Sequence, residues 1–359
     1  MAKKPARKLK RIIIWVVSLL LAFLVVLPSI GTVIVYECIF GMRYETENWR
    51  KFTEADYEGL RMERSDFLSG KETLAGYKYS RDDMQPKGVV VIAHGLGSGG
   101  HNTFMPYIDA FTANGYYVFS YDAHGNGESG GRNVRGLPQG LIDLDMAISH
   151  AETIEEYADL PVMLMGHSWG AYSCANVLDM HPEVAAAVII SGFNESENML
   201  LHYGTQYAGP AGGTIMPYLQ LYERIKFGAE YTDLTAVEAM AGTDANIMII
   251  HSTDDETVPF EYGYGAFYEA FYDSERFEFV KYEDRGHDNP FCSDESEAYR
   301  DEVNMAYAAF INENEADYSE DELNAFMEEN LDKKRAYEPD AVLLKRILNM
   351  YDSCALQEG

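Results

Sequence analysis

The chain has 359 residues and a formal net charge of −30, enough length for one large α/β domain with an appendage. So acidic a surface repels nucleic acid and favours a soluble, monomeric body, which sets nucleic-acid binding aside. The four cysteines, Cys38, Cys174, Cys292 and Cys354, form no C-x-x-C and no His/Cys cluster, so neither zinc nor redox chemistry is suggested and no metal or cofactor is expected.

Six basic residues (Lys3, Lys4, Arg7, Lys8, Lys10, Arg11) open the chain with no acid among them, and residues 12–35 then carry no charge at all. About 20 such residues cross a hydrocarbon core of about 30 Å, so this stretch is expected to be a single-pass membrane anchor. The basic flank predicts residues 1–11 in the cytoplasm and the rest of the chain on the other side of the cell membrane. A cleaved signal peptide is the rival, since Ser29-x-Gly31 follows Pro28. Its apolar region is longer than the roughly 7–15 residues of a signal core.

Residues 36–58 read as a connector, and 59–359 as one domain. Leu60–Phe67 and Thr73–Tyr79 are expected to form an antiparallel pair. Val89–Ala93, Tyr116–Tyr121, Val162–Met165, Ala187–Ser191 and Ile247–Ile250 follow as short apolar runs, the pattern of strands buried on both faces, and Phe277–Tyr282 closes the series. Helical spacing is predicted at Phe104–Asn114, stopped by Gly115, and at Leu141–Tyr157. Alternating strands and helices imply a mostly parallel sheet flanked by helices. Two stretches depart from the alternation: an insertion at 194–244 rich in Tyr and Met, and an acidic helical tail from Asp301 that ends in Ala341–Leu356. Cys292 and Cys354 would be free to pair only outside a reducing compartment.

The chemistry concentrates in three places. Gly166-His167-Ser168-Trp169-Gly170 lies between a strand and a helix, the context in which G-x-S-x-G makes a turn so tight that the serine hydroxyl stands above the sheet. Asp255 sits beyond the strand Ile247–Ile250, in a turn that runs into Val258-Pro259, with Asp254 as the neighbour that caps the turn. Chain order in such sites is Ser, Asp, His, and of nine histidines only His287 follows Asp255. The expected catalytic set is therefore Ser168, Asp255 and His287. Backbone N–H groups of Trp169 and of Leu96, in the loop His94-Gly95-Leu96-Gly97-Ser98-Gly99-Gly100, are the expected oxyanion donors. A phosphate-binding reading of those glycines lacks the Gly-Lys-Ser/Thr it would need.

These residues resemble the α/β-hydrolase superfamily, and within it the branch of monoacylglycerol lipases, lysophospholipases and serine aminopeptidases. The resemblance rests on His94-Gly95, on Asp122–Gly130, on Gly166–Gly170, on Asp255–Pro259 and on Gly286-His287, and covers roughly residues 60–310. Many members carry Arg where this chain has His124. The resemblance implies an α/β-hydrolase fold with an eight-stranded sheet, and a lid at 194–244. It implies hydrolysis of a small ester or lipid through an acyl-enzyme, with His94, Met199, Tyr203 and Tyr207 near the substrate. The lid aromatics and methionines would either line an acyl pocket or only pack the lid onto the body. A peptidase reading stays open, with Glu195, Glu197 and Glu223 available to a peptide's amine, as does a non-catalytic binding protein on the same scaffold.

Overall fold

Ten strands organise the chain in the computed structural model, which describes residues 5–82, 84–97, 99–314 and 317–355, without the side chains of Pro5, Ala6, Tyr207, Ala208 and Ala211. They are β1 (Leu60–Arg64), β2 (Phe67–Ser69), β3 (Glu72–Leu74), β4 (Gly76–Arg81), β5 (Gly88–Ala93), β6 (Tyr116–Tyr121), β7 (Val162–His167), β8 (Ala186–Ile190), β9 (Asn246–Ser252) and β10 (Phe277–Tyr282). Eight form one sheet in the order β1-β4-β6-β5-β7-β8-β9-β10, parallel from β6 to β10 and antiparallel where β4 joins β1 and β6. This is the α/β-hydrolase arrangement that the sequence predicts.

The expected first pair differs in detail. β1 pairs with β4, and a separate hairpin β2–β3 intervenes, turning at Gly70, whose φ of +62° suits glycine. Ser65 N–H donates to Gly76 O at 2.7 Å, which closes β1 before Phe67 can extend it.

Helices cover both faces. They are α1 (Pro5–Leu21), α2 (Leu27–Ile39), α3 (Met105–Ala113), α4 (Leu137–Glu152), α5 (Trp169–Asn176), α6 (Ser196–Ala208), α7 (Met216–Phe227), α8 (Ala229–Thr232), α9 (Ala236–Ala241), α10 (Tyr264–Phe271), α11 (Asp294–Glu313), α12 (Glu320–Asn330), α13 (Lys333–Ala336) and α14 (Ala341–Ala355). Along β5, Val89, Val91 and Ala93 join the core under α4 and α5, while Val90 and Ile92 join the core under α3 and α14. A strand covered on both sides has no polar face to show, hence the unbroken apolar run. α4 begins four residues earlier than predicted, because Pro138 fits a first helical turn whose N–H groups have no partner anyway, and it ends at Glu152.

The acidic tail ends as part of the body. Leu343, Ile347 and Tyr351 of α14 are buried, and Tyr351 Oη donates to Leu164 O in β7 at 2.9 Å. Leu356, the predicted end of this helix, lies outside the described residues. All four cysteines are free: Cys292 Sγ lies 3.3 Å from Arg300 Nη1 and Cys354 Sγ 3.2 Å from Asn246 Nδ2.

At the other end, α1 and α2 are joined by a π-helical turn, Ala22–Val26, into one helix long and apolar enough to cross a membrane. It runs on to Ile39, past the predicted boundary at Val35, because Tyr36 and Phe40 are fully buried between the insertion and the body. A helix of this kind near an N-terminus is either a spanning anchor or a signal sequence.

Candidate active site

The turn after β7 owes its shape to contacts that admit only hydrogen. A methyl group on Gly166 would run into the backbone of Gly170, and one on Gly170 into the carbonyl oxygen of Ala93 in β5. With glycine two residues away on either side, the chain reverses at Ser168, whose φ of +55° is a left-handed conformation that costs a non-glycine residue about 1–3 kcal/mol. Ser168 N–H donates to Ile190 O at 2.8 Å, and Tyr172 N–H donates to Ser168 O at 2.9 Å, so strand and helix clamp the turn from both sides. Trp169 opens α5 with its indole buried, Nε1–H donating to Leu137 O at 2.7 Å.

The candidate acid and base meet on the same sheet edge. His287 Nδ1–H donates to Asp255 Oδ2 at 2.8 Å, while the other carboxylate oxygen accepts the N–H groups of Thr257 and Val258 at 2.9 and 2.8 Å. Asp254 is elsewhere, taking Gly286 N–H at 2.9 Å and the Ser252 hydroxyl, and so ties the acid turn to the base loop. Burial alone would raise the Asp255 carboxyl. Hydrogen bonds from His251 and His287, the charge of the His287 imidazole and the Val258 N–H overcome it and hold the group well below the usual carboxylate range.

Two histidines that the motifs do not single out hold this pair in place. His251, fully buried, lies with Nε2 at 3.0 Å from Val258 O and 3.3 Å from Asp255 Oδ2. His167, the variable residue before the serine, donates from Nε2 to His287 O at 2.9 Å. Burial, then the neighbouring His287, push its pKa down to about 4, so it is a neutral strut for the base loop. The role of His167 shows only in a contact between distant parts of the chain, whereas the partners of His251 lie four and seven residues along it.

The glycine loop after β5 lies directly on the nucleophile turn. A methyl on Gly95 would stand 3.3 Å from His167 Nδ1 and 3.5 Å from Ser168 Cβ. Among the described residues no hydrogen bond occupies the N–H of Leu96 or of Trp169. The loop's far end is braced by Asp122, which accepts His101 N–H, His101 Nδ1–H and Glu128 N–H at 2.8, 2.7 and 2.8 Å. Glycine at 100 and 127 leaves the room this carboxylate needs. The Asp122–Gly130 segment is therefore a brace for the glycine loop after β5. A cavity of about 190 Å³ beside it, lined by Lys51, Tyr79, His101 and Asn102, contains none of the three catalytic candidates.

The expected substrate contacts fare unevenly. His94 is buried with Nε2 accepting Ala123 N–H at 3.0 Å and Nδ1 bonded to Gly95 O at 2.9 Å, so it supports the loop from beneath and is withdrawn from any substrate. Met199 is buried in the insertion, and Tyr203 Oη donates to Thr257 O at 2.8 Å, joining the insertion to the turn that holds Asp255. The side chain of Tyr207 lies outside the described residues. Glu223 is unavailable to a peptide amine: it is buried, with Tyr36 Oη donating to one oxygen at 2.5 Å and Ser196 Oγ to the other at 2.9 Å.

Residues 84–250 match the serine aminopeptidase S33 family. The chain is 31% identical over 127 residues to caffeoylshikimate esterase of Arabidopsis thaliana, a match over 34% of this chain and 38% of that one. It is 30% identical over 112 residues to monoacylglycerol lipase of Mycolicibacterium smegmatis, over 31% of this chain and 39% of that one. The matches thus span about two fifths of the curated relatives' lengths. An esterase from Pyrococcus furiosus superposes with a TM-score of 0.52 at 16% identity, over 76% of this chain and 98% of that one, which shows a shared fold.

Proposed function

We propose that this chain, an α/β-hydrolase of the branch that includes monoacylglycerol lipases and serine aminopeptidases, is a membrane-anchored serine esterase acting on acyl esters of lipid type. Ser168 attacks the ester carbonyl, and His287 takes its proton and hands it to the leaving alcohol. Asp255 orients the ring and stabilises its charged form, and water then releases the acyl group from the serine by the same route. The N–H groups of Leu96 and Trp169 receive the developing oxyanion, each worth roughly 3–4 kcal/mol in the transition state. The observation that carries this reading is the 2.8 Å pairing of His287 Nδ1 with a fully buried Asp255, on the sheet edge that also bears the strained Ser168 turn. The uncharged stretch 12–35 anchors a monomer, with residues 1–11 cytoplasmic and the catalytic domain, lid 194–244 included, outside.

Ester rather than peptide hydrolysis is favoured because Glu223 is occupied by Tyr36 and Ser196. The test uses the full chain in detergent micelles, with aryl esters of graded acyl length beside aminoacyl-arylamides and Ser168→Ala as control. Turnover of long-chain esters by the wild type alone is the expected result. Turnover confined to arylamides replaces the reading with a peptidase, and wild type indistinguishable from Ser168→Ala on every substrate leaves only a binding protein.

A further inference from the structure

A simple tether needs no contact with the insertion it carries along, yet the apolar helix and α7 touch along most of the length of α7. Near the end of α7, Tyr222 Oη donates to Glu37 Oε1 at 2.6 Å and Lys226 pairs with the same carboxylate. Tyr36, fully buried, donates to Glu223 one turn earlier. At the start of α7, Tyr218 Oη donates to Leu24 O at 2.8 Å. The acceptor is notable, because Leu24 sits inside the π-helical turn Ala22–Val26. A π turn disturbs the regular i→i+4 ladder, and a carbonyl loosened in hydrocarbon requires a donor from elsewhere in the protein. The phenol of α7 is that donor.

The position of Leu24 then sets the depth of the insertion. This step rests on the reading of residues 12–35 as the membrane anchor. Every 20-residue window within that uncharged stretch contains Leu24. In each, Leu24 lies at least seven residues, about 10 Å, below the end nearest the enzyme. A helix that reaches it with one tyrosine side chain has its first turn at the level of the acyl chains. The outer flank of α7 fits that level. Leu221 and Ile225, four residues apart on one face beside the anchor-facing positions 218 and 222, are 56% and 74% exposed. Ile39 and Met42 are likewise exposed, so the apolar surface does not stop where the spanning stretch does. Arg224, its side chain exposed, lies toward the far end of α7, where headgroups would meet it.

We propose that α7 is a membrane-immersed element: its Leu221–Ile225 flank is covered by a phospholipid leaflet on the enzyme's side, and Tyr218 and Tyr36 lock it to the anchor at that depth. The anchor is thereby half of the lid. The ester reaches Ser168 sideways from the leaflet, which makes the substrate a bilayer-resident long-chain acyl ester.

The test uses the full chain in phosphatidylcholine vesicles with Cys38, the one exposed thiol among the described residues, replaced by serine. A nitroxide is attached at Leu221→Cys or Ile225→Cys, at Trp15→Cys as an anchor reference, and at Val342→Cys on α14 as a reference in water. Relaxation by oxygen against a water-soluble nickel complex reads the depth of each. Leu221→Cys and Ile225→Cys are expected to behave like Trp15→Cys. If they match Val342→Cys while Trp15→Cys is in lipid, the immersion is wrong and the anchor stands. If Trp15→Cys is in water too, both fall. As a second measure, Tyr218→Phe is expected to raise KM for a vesicle-borne long-chain ester at least three-fold and leave kcat for a short soluble ester unchanged. An equal change for both substrates, or none for either, overturns the locking role of that hydroxyl.

Discussion

The turn that carries the candidate nucleophile and the insertion proposed as a lid lie on the same edge of one sheet and are built by opposite means. At Gly166–Gly170 the shape comes from backbone collisions: no side chain fits at either glycine, so any chain that folds must place Ser168 where it stands. In the lid, position depends on paired side chains far apart in sequence, such as Tyr36 with Glu223, Tyr218 with the Leu24 carbonyl and Tyr203 with the Thr257 carbonyl. Steric shape is rigid, whereas a hydroxyl–carboxylate pair can be lost while the backbone stays folded. On the proposed function, the chemistry is thus placed on the rigid element, and selection among substrates on the adjustable one.

The sharpest test of this contrast is at the turn itself. Ser168→Ala is expected to lower kcat for any ester by about 10⁴-fold or more with the melting temperature preserved, as seen by thermal unfolding beside a fluorophosphonate labelling assay. Asp255→Asn should lower kcat by about 10⁴-fold, through loss of the orienting acceptor for His287, while Asp254→Asn stays within a few-fold. Equal losses for the two would undo the assignment of the acid. Gly170→Ala forces a methyl against the Ala93 carbonyl, and a destabilisation of at least about 4 kcal/mol is expected from the urea midpoint. On the lid side the effects are smaller. Tyr36→Phe leaves the buried Glu223 short of a donor, which should cost about 1–3 kcal/mol in the same titration and raise KM more than it lowers kcat.

The smallest effect is a pH dependence that belongs to the rigid side. His167 is held neutral in the folded state by burial, with its pKa lowered to about 4, whereas the unfolded chain takes up a proton near 6.5. Between those values the unfolded state binds more protons, so this group makes stability fall as pH drops from 6.5 toward 4. Asp143, buried and pushed up to about 6, acts in the opposite sense over part of the same range. The informative quantity is therefore the difference between wild type and His167→Gln in urea midpoints measured from pH 7 to pH 4. A flatter profile for the variant is expected, and parallel profiles would remove His167 as the strut of the base loop.

Much of this was legible from local signals. Strand runs at Tyr116–Tyr121 and Phe277–Tyr282 match the observed strands to the residue, the first as an apolar run covered on both faces, the second as an edge strand in which Glu278 and Lys281 interrupt the apolar residues. The choice of Asp255 over Asp254 follows from its spacing to Val258-Pro259, and chain order singled out His287. What the sequence could not disclose are contacts whose partners lie more than a hundred residues apart. His167 beneath the His287 carbonyl, Tyr36 against Glu223 and Tyr218 on the π turn are of this kind, as is α14 seated on β7. His94 teaches the same lesson in reverse: a histidine beside a candidate site reads as a ligand in sequence, and the fold spends it on Ala123. Periodicity, glycine placement and residue order are properties of neighbours along the chain, and they determined the fold and the catalytic candidates. Which buried polar group finds which partner is decided only when the layers close, because desolvation makes each such group take whatever donor or acceptor the tertiary structure brings within reach.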